Sequence, residues 1–312
     1  MLATTEIDDD VASAALEGLL ADRKTLPPKL FYDDEGCRLF GAITRLPEYY
    51  PTRTELSVLR RIAPEIGAGL RPGSALIEYG GSDEAKASIL IDACPAIALY
   101  VPIDVAAGAL AALTRRLRET RRSLDVQPMV ADFLAPLRLP EAANGRDRLG
   151  FFPGSTIGNL DPAQARSFLV AVRQTLGAGA RFLVGVDLRK DPAILIPAYD
   201  DAQGVTAAFN LNLLTRLNRE AAADFDLAGF DHSARWNDAE SRIEMHLVSR
   251  RRQDVTVAGR PIAFDAGETI HTENSYKYSL PAFDAVLSEA GWRKQQSWTD
   301  DRGLFSLHLL TA

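Results

Sequence analysis

Cysteine is scarce, with only Cys37 and Cys94 in 312 residues. They are far apart, form no Cys-x-x-Cys pair and fall in helix-like segments. That excludes a disulfide framework and leads us to expect two buried free thiols in a reducing cytosol. Histidine is scarce too. His232, His246, His271 and His308 show no metal-ligand spacing, so no metal site is expected. No apolar stretch approaches about 20 residues without charge, which argues against a spanning helix and a membrane partner. The opening MLATTEIDDD is acidic and lacks the basic-then-apolar layout of a secretory signal, so a cytoplasmic protein is expected. Net positive charge is also missing. The formal net charge of −7 argues against nucleic acid as a partner. The run Arg250, Arg251 and Arg252 reads as a solvated surface turn. No repeat, low-complexity tract or evident interaction surface is present, and a monomer is expected.

What is present is ordinary globular composition, 46% apolar and 25% charged, enough to bury a core in one large or two modest domains. Apolar residues recur at helical spacing in VASAALEGLLADRKTL and in TELSVLRRIAPEIGAGL. Between them, PPKLFYDDEG and LPEYYPTRTE are rich in proline and tyrosine and read as a formed loop surface. From about residue 74 the pattern becomes strand, turn, helix, strand. ALIEYGG, IALYVPID, VQPMVADF, RLGFFPG and RFLVGVDL are the strands, with helices of a dozen or so residues between most of them. That rhythm implies a parallel sheet with helices on both faces.

Near residue 195 the rhythm breaks into a mostly helical stretch, and 229–273 holds alternating segments that suggest an antiparallel ribbon. A helix, PAFDAVLSEAG, then precedes WRKQQSWT and LFSLHLLTA, joined by DDRG. The expected architecture is α/β. A doubly wound domain spans 62–195 and 276–312 and ends in an antiparallel hairpin. A smaller α+β domain is assembled from 1–61 and 196–275.

Open parallel sheets bind ligands at the carboxyl ends of their strands. The first end, Glu78-Tyr79-Gly80-Gly81-Ser82-Asp83-Glu84, lacks Gly-x-Gly-x-x-Gly spacing and places acids where a pyrophosphate would lie. S-adenosylmethionine, cationic and without phosphate, fits better. Asp104 can accept from both ribose hydroxyls, and Asp132 from the adenine amino group, with Phe133 beside the ring. The fourth end, FFPGSTIGNLDP, has neither a Gly-x-Ser-x-Gly elbow nor a Walker lysine. In that position Asn159 is suited to meet an acceptor amine. The alternative is that Ser155, Thr156 and Asn159 only satisfy turn backbone.

LFYDDEG, ITRLPEYYPTRTE, FFPGSTIGNLDP, AYDDAQGVTAAFN, SRIEMHL and TENSYKY together resemble the L-histidine Nα-methyltransferases of ergothioneine biosynthesis. The resemblance runs from about residue 27 to the end of the chain. It implies a Rossmann-like class I methyltransferase sheet carrying the S-adenosylmethionine site, a second domain that binds substrate, and trimethylation of histidine to hercynine. Residue by residue it puts Asn159 near the substrate amine, Tyr49 and Tyr199 near its carboxylate, and Tyr32 near the methylated nitrogen. Glu273 and Ser275 would hold the imidazole, with Met245 beside the ring. Gly80, Lys86, Asp104, Asp132 and Phe133 match cofactor positions. The chain departs from the family at the first turn, where Gly-Ser-Gly is more usual than Gly80-Gly81-Ser82. The partners implied are histidine and its mono- and dimethylated forms. Two other readings keep the fold: methylation of another amino acid, such as one with an indole ring, and a catalytically silent binding protein.

Overall fold

A computed structural model describes residues 7–81 and 83–312; Ser82 of the expected cofactor turn lies outside them. Tertiary contacts divide the chain into two compact units. One is the chain up to Tyr50 with Lys190–Ser275, and the other is Pro51–Arg189 with Tyr276–Ala312.

The first unit begins with α1 (Asp9–Leu19), where the Asp8 carboxylate accepts from the N–H groups of Asp10 and Val11. Such a cap supplies partners that the first helical turn lacks. Then comes a 3-10 turn over Pro28–Phe31, followed by α2 (Asp34–Ile43), capped by Asp33. Cys37 lies in α2 and is half-buried, not fully buried as expected. The next helix, α3 (Tyr50–Ala68), starts inside the segment expected to be loop surface. Pro51 is tolerated there because first-turn N–H groups have no helical acceptor. An expected boundary between residues 61 and 62 falls in mid-helix. The stripe Val58, Leu59, Ile62, Ala63 and Ile66 packs with sheet residues such as Leu76 and Leu183, which ties α3 to the second unit.

That unit continues with β1 (Ser74–Tyr79), α4 (Glu84–Ala93), β2 (Ile97–Asp104) and α5 (Ala107–Thr120). Cys94, at the end of α4, is buried and free. The single strand expected over VQPMVADF is two fragments, β3 (Asp125–Val126) and β4 (Met129–Val130), both paired with β2. Pro128 lies between them and has no N–H for the ladder. β5 (Arg148–Phe152), α6 (Pro162–Leu176) and β6 (Arg181–Asp187) follow.

In the first unit the chain resumes with α7 (Pro192–Tyr199) and α8 (Val205–Glu220). Asp201 fixes the start of α8, accepting from the N–H groups of Gln203, Val205 and Thr206. Burial pushes its carboxyl up, but those hydrogen bonds outweigh it and hold the group below its ordinary value. β7 (Phe230–Asn237), β8 (Arg242–Ser249), β9 (Gln253–Val257), β10 (Arg260–Phe264) and β11 (Thr269–Tyr276) come next. They form a sheet in the order β11-β8-β7 and a separate β9/β10 hairpin.

Returning to the second unit, α9 (Leu280–Glu289) leads to β12 (Arg293–Thr299) and β13 (Phe305–Thr311). The large sheet runs β12-β13-β6-β5-β1-β2-β3, with β4 also on β2. β1, β2, β5 and β6 pair in parallel, whereas β13 is antiparallel to both β6 and β12. This is the Rossmann-like sheet with the expected closing hairpin. Alternation along β1 separates two cores: Ala75, Ile77 and Tyr79 face α6 and α9, while Leu76 faces α3, α4 and α5. Because β1 lies between β2 and β5, strand order reverses there, which is where such sheets take ligands.

Candidate active site

The sheet-bearing unit gathers the expected cofactor positions at the carboxyl ends of its strands. After β1 the chain turns at Gly80 (φ 78°), and the N–H groups of Gly80 and Gly81 both donate to Ile103 O, at 2.8 and 3.0 Å. A Cβ on Gly81 would lie 2.8 Å from the Pro102 side chain, whereas one on Gly80 would meet nothing within 4 Å. The turn is therefore pinned against β2 and leaves open room over Gly80. Asp83 caps α4, and Glu84 pairs with Arg116 across an exposed surface.

Asp104 accepts from Ala106 N–H at 2.8 Å, and Asp132 from Leu134 N–H at 3.0 Å. Both carboxylates therefore brace their turns, and a carboxylate has further acceptor capacity for ligand hydroxyls or an amino group. Phe133 is partly buried, with its ring 6.1 Å from Tyr79, 5.7 Å from Phe152 and 5.8 Å from Phe168. Room over Gly80, a carboxylate at each of two strand ends and an aromatic ring next to Asp132 in sequence fit an adenosyl sulfonium.

Lys86, in the first turn of α4, pairs with Glu55 of α3 at 2.6 Å. Sequence reading missed Glu55. It is fully buried, and its two oxygens also accept from Gly154 N–H, each at 2.9 Å. The signal lay in the helix pattern, since Glu55 continues the apolar stripe of α3 at i, i+3, i+4 and i+7. An acid at a core-facing position needs a partner.

Glu55 thereby anchors the loop that follows β5. Gly154 (φ 80°) and Ser155 (φ 57°) are both left-handed there, and a 3-10 turn over Thr156–Asn159 carries the chain on towards α6. Ser155 is buried and its Oγ accepts from Asp187 N–H at 2.8 Å, while Thr156 Oγ1 donates to Pro153 O. The Thr156 hydroxyl serves the backbone of the turn, and that of Ser155 ties the turn to the end of β6. A Cβ on Gly158 would lie 2.7 Å from Tyr276 O, so the turn is pressed against that strand. Asn159 ends it, half-buried. A capping box between Asp161 and Gln164 then starts α6.

The other unit gathers most of the expected substrate residues. The Tyr199 hydroxyl, at the end of α7, and Ser275 Oγ, on β11, lie 2.7 Å apart and are buried. Tyr49 meets the Tyr199 ring edge-on at 6.1 Å. Glu273, buried as well, is two residues from Ser275 and so shares its face of β11. Met245 is buried on β8, and its carbonyl accepts from Thr272 Oγ1 at 3.1 Å. Tyr32 joins through aromatic contacts absent from the sequence reading: its ring lies 6.2 Å from Phe40 and 6.3 Å from Phe209, and Phe40 lies 6.4 Å from Tyr49. His232 steadies Tyr199 by pairing with its carbonyl at 2.8 Å, and its other ring nitrogen faces Asn210. Asn159 belongs to the sheet-bearing unit, not to this group.

Comparison with known proteins bears directly on these two groups of residues. A family model described as histidine-specific, S-adenosylmethionine-dependent methyltransferase matches residues 11–312. The histidine N-alpha-methyltransferase of Mycobacterium tuberculosis is 43% identical over 297 residues, covering 94% of this chain and 92% of that protein. Its namesake from Mycolicibacterium smegmatis is 45% identical over 298 residues, with the same coverage. Ergothioneine biosynthesis protein 1 of Neurospora crassa is 30% identical over 306 residues, covering 92% of this chain and 33% of that much longer protein. With the match spanning both units, the chain belongs to the histidine-specific, S-adenosylmethionine-dependent methyltransferase family.

Proposed function

We infer that this protein methylates the α-amino nitrogen of L-histidine three times to give hercynine, a step of ergothioneine biosynthesis. In this reading the unit built on the large sheet holds S-adenosylmethionine through Gly80, Lys86, Asp104, Asp132 and Phe133. The unit containing β11 holds histidine. What carries the reading is the buried set Tyr199, Glu273 and Ser275 within a chain of this family. It offers a carboxylate and two hydroxyls where an imidazole and an amino-acid carboxylate need partners. Bound S-adenosylmethionine supplies an electrophilic sulfonium methyl and leaves as a neutral thioether.

Glu273 accepts one imidazole N–H, and Ser275 pairs with the other ring nitrogen. Met245 packs beside the ring. An apolar side chain would leave both groups unpaired, and an indole, with a single N–H and no ring acceptor, would leave one, at roughly 1–3 kcal/mol for each buried group. Tyr49 and Tyr199 hold the substrate carboxylate. Asn159 turns the amine lone pair towards the methyl, and holding the reacting atoms in line about 3 Å apart removes most of the cost of encounter. One proton must leave the nitrogen before each transfer. The proton leaves to solvent through ordered water, with the Tyr32 hydroxyl relaying it and the Asn159 amide oxygen accepting a hydrogen bond from the nitrogen. The last transfer makes a fixed cation, so the residues around the nitrogen must leave room for three methyl groups.

The protein acts as a cytoplasmic monomer in this reading; no helix among the described residues is long and apolar enough to cross a membrane. Incubation with histidine and S-adenosylmethionine, read by mass spectrometry, should show one, two and then three added methyl groups. Preference for tryptophan in an amino-acid panel would move the assignment to another acceptor. Cofactor binding without methylation of any amino acid would make the chain a silent binder.

A further inference from the structure

We propose that Glu244, His246 and His271 form a binding site for a divalent transition-metal ion of the zinc type. Glu244 and His246 stand two residues apart on β8 and share a face, and His271 comes from β11, the neighbouring strand. Glu244 Oε2 and His246 Nε2 are 3.2 Å apart. The His246 and His271 rings stack at 4.7 Å with 22° between their planes. One donor atom from each of the three residues lies within 4.8 Å of the other two.

Zinc bonds to nitrogen and carboxylate oxygen are about 2.0–2.2 Å, so neighbouring ligand atoms of a tetrahedral ion sit roughly 3.3 Å apart. The Glu244–His246 pair already has that spacing. The His271 donor lies within 4.8 Å of the other two and must close on them to complete the set.

The surroundings orient two of the three ligands, Glu244 and His271. Asn237 Nδ2 and Arg242 Nε both donate to Glu244 Oε1, at 2.9 and 2.8 Å, which fixes the carboxylate and turns Oε2 towards His246. His271 Nε2 faces the Glu273 carbonyl at 3.1 Å, and its ring also interacts with the Asn274 side chain, so one of these contacts gives way when an ion is bound. His246 is buried, and its Nδ1 has no hydrogen-bond partner among the described residues. Its ring therefore has one polar side-chain partner, the carboxylate with which it would share the ion. His246 is buried and His271 half-buried, and the neutral imidazole is the form that binds metal. Three protein ligands leave a coordination position open to water.

The site is independent of the methyl-transfer reading, although His271 lies two residues before Glu273 on β11. An ion there would pin β8 to β11 and steady the strand that presents Glu273 and Ser275.

The test uses the full chain, stripped with a chelator and titrated with Zn²⁺ by calorimetry. One ion per chain should bind. Glu244→Gln and His271→Ala should each weaken it roughly tenfold or more, whereas Cys37→Ser should leave it unchanged. Co²⁺ should give visible bands of nitrogen and oxygen coordination without a thiolate charge-transfer band. Zn²⁺ should raise the melting temperature of the wild type but not of His271→Ala. If His271→Ala does not fold, as judged by circular dichroism, His271→Asn takes its place. No saturable binding, unchanged affinity in both ligand variants, or a thiolate band that vanishes in Cys37→Ser would each overturn the proposal.

Discussion

Glu55 and Lys86 form an ion pair at 2.6 Å in which the carboxylate is fully buried and the lysine side chain is 19% exposed. The same carboxylate holds Gly154 N–H. One buried acid therefore braces both a proposed cofactor-binding lysine and the loop that ends in Asn159. Glu55→Gln keeps an acceptor for Gly154 but leaves Lys86 without its counter-charge. Stability should fall by about 3 kcal/mol, the scale seen when one partner of a buried pair is removed. Affinity for S-adenosylmethionine should fall with it, and Glu55→Asp should recover part of both. Unchanged denaturant midpoint and cofactor affinity in Glu55→Gln would remove this role.

Two glycines should respond differently to alanine. Gly80 is left-handed with open space around it, so Gly80→Ala carries backbone strain of about 1–2 kcal/mol and narrows the room proposed for S-adenosylmethionine, an effect that saturating cofactor should offset. A Cβ on Gly158 instead collides with the backbone at Tyr276. Gly158→Ala should displace the turn ending in Asn159 and lower kcat/KM roughly a hundredfold, since small misplacements are costly in a positioned reaction. Equal turnover in the two variants would contradict this.

Asn159→Ala should leave the fold and most cofactor affinity in place while cutting histidine methylation. Melting temperature and calorimetric S-adenosylmethionine binding close to wild type, with turnover down roughly tenfold or more, are the expected outcome. Full turnover in the variant would return Asn159 to a purely structural role in its turn.

Glu273→Ala should weaken histidine far more than S-adenosylmethionine. Losing the partner of a buried imidazole N–H costs roughly 1–3 kcal/mol, or about five- to 150-fold in affinity. Calorimetric titration with each ligand separates the two effects. Unchanged histidine affinity would exclude Glu273 from the imidazole site.

Glu78, fully buried at the end of β1, should give stability a pH dependence. Burial, partly opposed by the Tyr100 hydroxyl and the Lys86 charge, lifts its carboxyl from the ordinary 4.5 to about 8. The folded chain then holds this proton more tightly than the unfolded chain does. Its contribution is complete below pH 4.5 and is lost as the pH rises towards 8. Glu78→Gln removes the titrating group, so its melting temperature should decline less than that of the wild type across this window. Parallel curves would refute the assignment.

Much of the large sheet was legible from local pattern. β1, β2, β5 and β6 and the helices between them follow periods set by where each backbone points its side chains, and the β12/β13 pair announces itself through DDRG. VQPMVADF misled because proline interrupts a ladder that its apolar content suggests. The tyrosine-rich segment misled because a helix start tolerates proline that a helix interior does not.

Sequence by itself determined the alternating framework, the polar strand ends and the family to which they point, because these depend on neighbours along the chain. Only the tertiary structure decided which distant groups meet. Glu55 finds Gly154 across 99 residues, and Tyr199 finds Ser275 across 76. His246 and His271, without ligand spacing in the sequence, become stacked neighbours on adjoining strands. Strand order, which brings such pairs together, is fixed by burying both faces of a sheet at once, and no local window of sequence contains that condition.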